Sequence, residues 1–332
     1  MHAVRGMYNF NSTDKRNDLE DGLRLVDNAR KATKLPLFAN IAGKNDELDT
    51  WVSIGRSMEN VGADVLELNF CCPNMTFSTD EKTGAKVGTH LGRVPATMAK
   101  IVSAMKAELK TPIWVKATGT NLEYTVSAKA IVAAGADGLI TNGAQLVVPP
   151  IDIYNGGRTS MPTMGNNSLG AAVGPVNRLH ANRLICTASR ECDVPIAGGG
   201  GISQWEHIVE TIMFGASLTQ ICTKFLWDGF DDIPKMNEQL LKFMKNQGYA
   251  TIADMRGIAV KHLVMGDKLE FIESMPEIDG AKCVGCGACA KIGSCTALQM
   301  EGKKVLFEAE KCVSCGLCAA LCPTKAISFA DA

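Results

Sequence analysis

The chain has 332 residues, 34 basic and 35 acidic side chains, a net charge of −1 at pH 7 and 46% hydrophobic residues. That length suits one large domain and a small one, and so even a charge balance carries no footprint of nucleic acid or an anionic membrane surface. No apolar run approaches a membrane span and no charged-then-apolar leader opens the chain, while thirteen cysteines without the marks of a secreted scaffold point to a reducing, cytoplasmic setting.

The opening MHAVRGMYNFNSTDK reads as the loop after a strand rather than the start of a domain. From residue 35 to about 225, short apolar runs alternate with amphipathic stretches, the pattern of parallel βα units. Six strands are expected, over Leu35–Ile41, Asp64–Phe70, Pro112–Ala117, Gly138–Thr141, Val194–Ala197 and Leu218–Cys222. Helices are expected between them, for instance over Asp49–Val61 and Ala96–Leu109. Gly62-Ala63-Asp64, Gly135-Ala136-Asp137 and Gly215-Ala216-Ser217 recur just before a strand, where a small residue permits a tight αβ turn. The repetition favours a (β/α)8 TIM-type barrel over a doubly wound sheet. Only six of eight strands are found, so two βα units are expected to be missing at the N-terminus, by truncation rather than by a partner closing the barrel.

The stretch Pro149–Gly174 is Gly- and Pro-rich without periodicity and reads as a functional lid. Pro234–Met265 turns helical. The expected division is a barrel over 1–265, a linker over 266–280, and a small α+β module of the bacterial-ferredoxin type over 281–332.

Eight of the thirteen cysteines fall in the last fifty residues. Cys312, Cys315, Cys318 and Cys322-Pro323 form a C-x2-C-x2-C-x3-C-P run, and Cys283, Cys286, Cys289 and Cys295 form a second block. Three thiolates at such spacing hold three corners of a [4Fe–4S] cube, and the fourth comes from the other block. One cluster then takes Cys283, Cys286, Cys289 and Cys322, and the other takes Cys312, Cys315, Cys318 and Cys295. Structural zinc sites usually join separate C-x2-C pairs, which makes zinc the weaker reading. Five residues separate Cys289 from Cys295 where three are usual, so Cys295 is the least secure ligand.

Barrel enzymes carry their sites on loops at the C-terminal strand ends. Those ends hold Asn40, Asn45, Asn69-Phe70-Cys71-Cys72-Pro73-Asn74, Lys116, Asn142, Gly199-Gly200-Gly201-Ile202 and Thr223. Amides offer donor and acceptor together, which suits a flat ligand with alternating N–H and C=O. Glycines before a helix let backbone N–H groups approach a phosphate. At these positions the chain resembles the dihydroorotate and dihydropyrimidine dehydrogenase family. Glu67-Leu68-Asn69-Phe70-Cys71-Cys72-Pro73-Asn74 is similar to the family's ELNLSCPN segment. Lys116 in PIWVKATG, Asn142 in GLITNG, the Gly200-Gly201-Ile202 turn and Cys222-Thr223 follow in the family's order and spacing. The form it resembles most joins an FMN barrel to a C-terminal module with two [4Fe–4S] clusters.

The resemblance implies roles. Cys72 matches the catalytic acid/base; Asn69, Asn74 and Asn142 match amides that hold the pyrimidine, with Asn45 a fourth candidate. Lys116 matches the lysine near the flavin N1/O2 edge, Gly200, Gly201 and Thr223 match the FMN phosphate cradle, and Gly174 lies near the flavin. The activity implied is reduction of the C5=C6 bond of uracil or thymine, in an oligomer, with electrons relayed through the clusters. No G-x-G-x-x-G fingerprint follows a strand, so a separate FAD-containing NAD(P)H reductase subunit, or a ferredoxin, is the expected donor. Dihydroorotate oxidation, another planar unsaturated substrate and a non-catalytic iron–sulfur subunit are the alternatives. The chain departs from the family pattern at Gly143, where the pyrimidine-reducing enzymes carry threonine, and at Ala171–Val173. Cys71 reads as packing, and Cys186, Cys192 and Cys222 as inert thiols.

Overall fold

A computed structural model describes residues 7–9, 17–72, 86, 88–119, 124–141, 143–160, 165–166, 170–264, 266–270, 272 and 274–329. The chain divides into two units, Met1–Leu263 and Val264–Ala332.

The larger unit runs β1 (Met7–Asn9), α1 (Leu19–Ala32), β2 (Phe38–Ile41), α2 (Leu48–Asn60), β3 (Val65–Asn69), α3 (Thr89–Gly92), α4 (Pro95–Glu108) and β4 (Ile113–Lys116). It continues through α5 (Tyr124–Ala133), β5 (Gly138–Ile140), β6 (Gln145–Val147), β7 (Ile151–Asp152), β8 (Arg158–Thr159), β9 (Gly170–Val173) and α6 (Arg178–Glu191). β10 (Ile196–Gly199), α7 (Trp205–Met213), β11 (Leu218–Gln220), α8 (Thr223–Asp228), α9 (Ile233–Gln247) and α10 (Ile252–Met255) complete it. Six strands form one parallel sheet in the order β11-β10-β5-β4-β3-β2. They overlap the six runs expected from sequence; five are shorter than expected, and β10 keeps the expected four residues but starts two residues later, at Ile196.

The recurring small-residue turns have a defined job. Gly62, Gly135 and Gly215 adopt φ of 93°, 99° and 113°, a region closed to most side chains, and so turn the chain from helix to strand. The aspartates that follow then clip the neighbouring strand. Asp64 accepts a hydrogen bond from the Leu37 backbone N–H at 2.8 Å, and Asp137 accepts one from Ile113 at 2.7 Å.

Strand alternation divides the sheet into two faces. Leu66, Leu68, Ile113, Val115 and Leu139 are fully buried against helix residues such as Met98, Ile101, Met105 and Ile131. The opposite face begins with an apolar tier of Phe38, Val65, Trp114, Ile140 and Ala197. Phe38 meets Trp114 edge-on at 5.4 Å, and a methyl group on Gly138 would come within 2.4 Å of the Trp114 ring. Further along the strands this face turns polar, with Asn40, Glu67, Asn69, Lys116 and Gln220.

Gln220 Nε2 donates to Glu67 Oε2 at 3.2 Å, although β11 and β3 are separated by β10, β5 and β4. In a flat sheet four strand spacings amount to about 19 Å. The contact is possible only because the sheet curls like a section of barrel wall.

Two expectations need correction. The opening residues are not all loop: β1 pairs antiparallel with β9, Met7 opposite Val173, and β9 also pairs with β6. Likewise the stretch Pro149–Gly174 holds the β7–β8 hairpin and β9, elements too short to leave a periodic signature, while residues 161–164 and 167–169 lie outside the described set.

The smaller unit contains β12 (Pro276–Ile278), β13 (Leu298–Glu301), β14 (Lys304–Phe307), α11 (Leu317–Leu321) and β15 (Ile327–Phe329). β12 pairs antiparallel with β15, and β13 with β14. β12 falls inside the segment read as linker, so this small sheet starts earlier than its cysteines suggest. No helix among the described residues is long and apolar enough to cross a membrane.

Candidate active site

Glu67 organises the polar tier. Its carboxylate receives Asn40 Nδ2 at 2.5 Å and Gln220 Nε2 at 3.2 Å, and it pairs with the Lys116 ammonium at 3.3 Å. The Glu67 and Lys116 side chains are 6% and 21% exposed. Burial pushes the Lys116 ammonium towards neutrality. The neighbouring Cys71, Glu67 and Cys72 side chains outweigh that and hold it above the ordinary lysine range. Lys116 therefore stands as a fixed positive charge on the face opposite the helices.

One residue beyond β3 the chain makes a tight turn around a single amide. Asn69 Oδ1 accepts from the backbone N–H of Cys71 at 3.1 Å and of Cys72 at 3.0 Å, and from the Cys71 thiol at 3.2 Å. Asn69 Nδ2 donates to Asn40 Oδ1 at 3.1 Å. Most of the Asn69 amide is thus spent on its own turn, which leaves Cys72 half-buried at the strand end while Cys71 is fully buried. The two sulfurs lie 3.5 Å apart.

Gly174, Gly200, Gly201 and Thr223 converge elsewhere on the strand ends. The three glycines have φ of 92°, 117° and 80°. A methyl group on Gly174 would meet Thr223 Cγ2 at 3.3 Å and the Trp227 ring at 3.1 Å. One on Gly201 would press on the Arg178 backbone N at 2.7 Å and the Gly174 carbonyl at 2.9 Å, and one on Gly200 on the Gly143 N at 2.9 Å. The backbone is thus packed closely beside the first turn of α6, with no room for side chains at these glycines. The packing also accounts for Gly143: a Cβ there would lie 2.8 Å from the Ala181 Cβ, so α6 leaves no room for threonine.

Asn45 is not brought into this group. It exchanges two hydrogen bonds with Lys86, N–H to carbonyl and backbone N–H to Oδ1, both at 2.7 Å, and its Nδ2 donates to Glu47 at 3.0 Å. It braces a loop instead of presenting an amide to a ligand. Asn74 and Asn142 lie outside the described residues.

In the smaller unit Cys283, Cys286, Cys289 and Cys322 line one small cavity together with Pro323. Burial raises the Cys318 thiol, and the nearby Cys315 and Cys295 raise it further. The two blocks share a backbone device. Gly285 and Gly287 flank Cys286 at φ of 65° and 70°, and Ser314 and Gly316 flank Cys315 at 54° and 72°. Both triplets are therefore wound the same way. Among the described residues no three His, Cys, Asp or Glu side chains converge on one metal ion.

The family model for dihydroorotate dehydrogenase matches residues 12–244. The chain belongs to the dihydroorotate dehydrogenase family. A second family model, for the 4Fe-4S dicluster domain, matches residues 278–326. The Escherichia coli K12 NAD-dependent dihydropyrimidine dehydrogenase subunit PreA is 30% identical over 262 residues, 76% of this chain and 60% of that protein. The Methanothermobacter thermautotrophicus dihydroorotate dehydrogenase B (NAD(+)) catalytic subunit is 30% identical over 237 residues, 71% of each chain. Its Pyrococcus furiosus counterpart is 28% identical over 232 residues, 70% of this chain and 71% of the relative.

This is a family of FMN flavoproteins, and the residues present are of a kind that fits such a group: left-handed glycines beside a helix start for a phosphate, and a buried ammonium for an electron-rich ring. Sequence reasoning passed over Glu67 and Gln220. Glu67 was findable, since it stands two residues before Asn69 in one strand and so shares its face. Nothing local distinguishes Gln220; its role depends on the curl of the sheet.

Proposed function

We propose that the chain reduces the C5=C6 bond of a pyrimidine base, uracil or thymine, to the dihydropyrimidine. The observation that carries the reading is Cys72, held by Asn69 on a turn beside the buried Lys116–Glu67 pair. The relative whose name specifies dihydropyrimidine dehydrogenase supports it.

FMN, when bound, supplies hydride to one carbon of the double bond. Gly174, Gly200, Gly201 and Thr223 would hold its phosphate, and Lys116 would face the ring edge, where a fixed positive charge favours the reduced form. Cys72 donates the proton that completes the reduction at the other carbon. A thiol is a weaker acid than a carboxyl group and can carry a transferable proton, as a general acid must. Asn69 sets the direction of that thiol. Asn74 and Asn142 are assigned to the ring amides, and Asn69 contributes its remaining N–H.

Cys283, Cys286, Cys289 and Cys322 would hold one [4Fe–4S] cluster and Cys312, Cys315, Cys318 and Cys295 a second, and such clusters would supply the electrons. The donor is a separate FAD- and NAD(P)H-dependent reductase subunit or a ferredoxin, in a reducing cytoplasm. Oxidation of dihydroorotate is the second reading, favoured by the names of the relatives that match 71% of their own length.

The test is anaerobic purification of the chain followed by flavin, iron and sulfide assays and turnover with a chemically reduced viologen. About one FMN and about eight iron per chain are expected. Uracil or thymine should be consumed faster than orotate, and Cys72→Ala should lower turnover about 10²–10⁴-fold with flavin content unchanged. Preference for dihydroorotate and orotate would transfer the assignment to the second reading. Iron without flavin, or full turnover in Cys72→Ala, would defeat both.

A further inference from the structure

Cys71 stands where the resembled segment ELNLSCPN carries serine, and that substitution puts two thiols side by side at a strand end. Their sulfurs are 3.5 Å apart, with Cys71 anchored by its hydrogen bond to Asn69 Oδ1. We propose that Cys71 and Cys72 form a dithiol site that captures a monosubstituted trivalent arsenical, one arsenic bridging both sulfurs.

Geometry separates this outcome from a disulfide. Adjacent Cα atoms lie about 3.8 Å apart across a trans peptide, short of the range of about 4.4–6.8 Å that disulfides span. A bridging atom asks for less movement. Two bonds of about 2.3 Å, a usual thiolate bond length, meeting at about 100°, set the sulfurs about 3.5 Å apart. Zinc would need further ligands, and among the described residues no third His, Cys, Asp or Glu joins the pair. An arsenical that carries its own carbon substituent needs only two thiolates.

The reaction balances without an oxidant. R–As(OH)2 and two thiols give R–As(SCys)2 and two waters: two As–O bonds break, two As–S bonds form, the thiol protons leave with the oxygens, and arsenic stays trivalent. Lys116 assists, since its ammonium interacts with both sulfurs and a positive charge beside a thiol eases loss of the proton. Cys72 is half-buried and provides the point of entry, and Cys71 closes the ring.

The site stands whether or not the pyrimidine reading holds, because its test reads mass and not turnover. The anaerobic, cluster-loaded chain is treated with phenylarsine oxide and digested with trypsin. The peptide Ser57–Lys82 contains Cys71 and Cys72 and no other cysteine. One phenylarsenic group is expected on this peptide, retained in excess 2-mercaptoethanol and released by 2,3-dimercaptopropanol. In Cys71→Ser retention against the monothiol should fall at least tenfold, and in Cys72→Ser likewise. Absence of the adduct from this peptide in the unmodified chain, or an adduct equally resistant in Cys71→Ser, would overturn the proposal. Should neither variant fold, stoichiometry and monothiol resistance of the unmodified chain decide alone.

Discussion

Glu67 and Lys116 meet at 3.3 Å on the inner face of the sheet, with side chains 6% and 21% exposed. Removing one member of such a pair leaves a charge stranded out of water, which costs more than the pair contributes. Glu67→Gln should destabilise the larger unit by about 3 kcal/mol, and Glu67→Gln with Lys116→Met should recover most of the loss. Denaturant unfolding of the three proteins checks this. A double variant no better than the single one would mean the carboxylate acts through Asn40 and Gln220, not through charge.

Gly201→Ala combines a left-handed backbone with a collision against Arg178 N and the Gly174 carbonyl. A cost of roughly 1–3 kcal/mol is expected, together with loss of flavin during purification. Gly229→Ala is the control, because it shares the positive φ, at 73°, but a Cβ there meets nothing within 4 Å. Flavin per chain in the two variants separates strain from cradle damage.

His207 sits in the first turn of α7 and accepts a hydrogen bond from the Ser203 backbone N–H at its Nδ1, 3.2 Å away. Burial, reinforced by Arg178, pushes its imidazole below the ordinary range. The neutral ring is the folded form, so the unfolded chain binds the proton more readily. Its contribution is fully present above the unfolded value of about 6.5 and is lost as pH falls through the lower folded value. The stability difference between the chain and His207→Gln should therefore shrink on acidification from pH 7.5 to 5, as followed by denaturant midpoints. A constant difference would refute the assignment.

The smaller unit buries Cys289, Ile292, Leu298, Cys318 and Ile327 in one apolar cluster, so two of the five residues of that cluster are proposed cluster ligands. So thin an apolar core leaves folding dependent on the metal. Stripping the iron with chelator and oxidant should abolish amide-exchange protection over residues 276–329 while the larger unit keeps its own. Cys222→Ser, at an exposed thiol outside both blocks, should change neither.

Local chemistry made much of this legible. The six strands of the sheet were readable as apolar runs between amphipathic helices, and three of them, β3, β5 and β11, also follow a glycine turn whose φ forces the reversal. The cysteine blocks were readable because ligand spacing is itself the signal. β1 and β9 were not, since no alternation with helices marks them and their pairing joins Met7 to Val173, far apart in the chain. The loop contacts of Asn45 were not legible for a related reason. An amide at a strand end suits a ligand and a loop brace equally well, and only Lys86, 41 residues away, decides between them. Gly143 shows the reverse, a departure that α6 imposes by contact.

The Gln220–Glu67 hydrogen bond works as a bowstring across the curled sheet. Opening the curve would draw the string away from Glu67, and Glu67 is what balances Lys116. The field that Lys116 casts over the strand ends is thereby tied to how far the wall is bent. Whatever holds the bend also adjusts the electrostatics of the site, so a change of curvature far along the wall would be felt at Lys116.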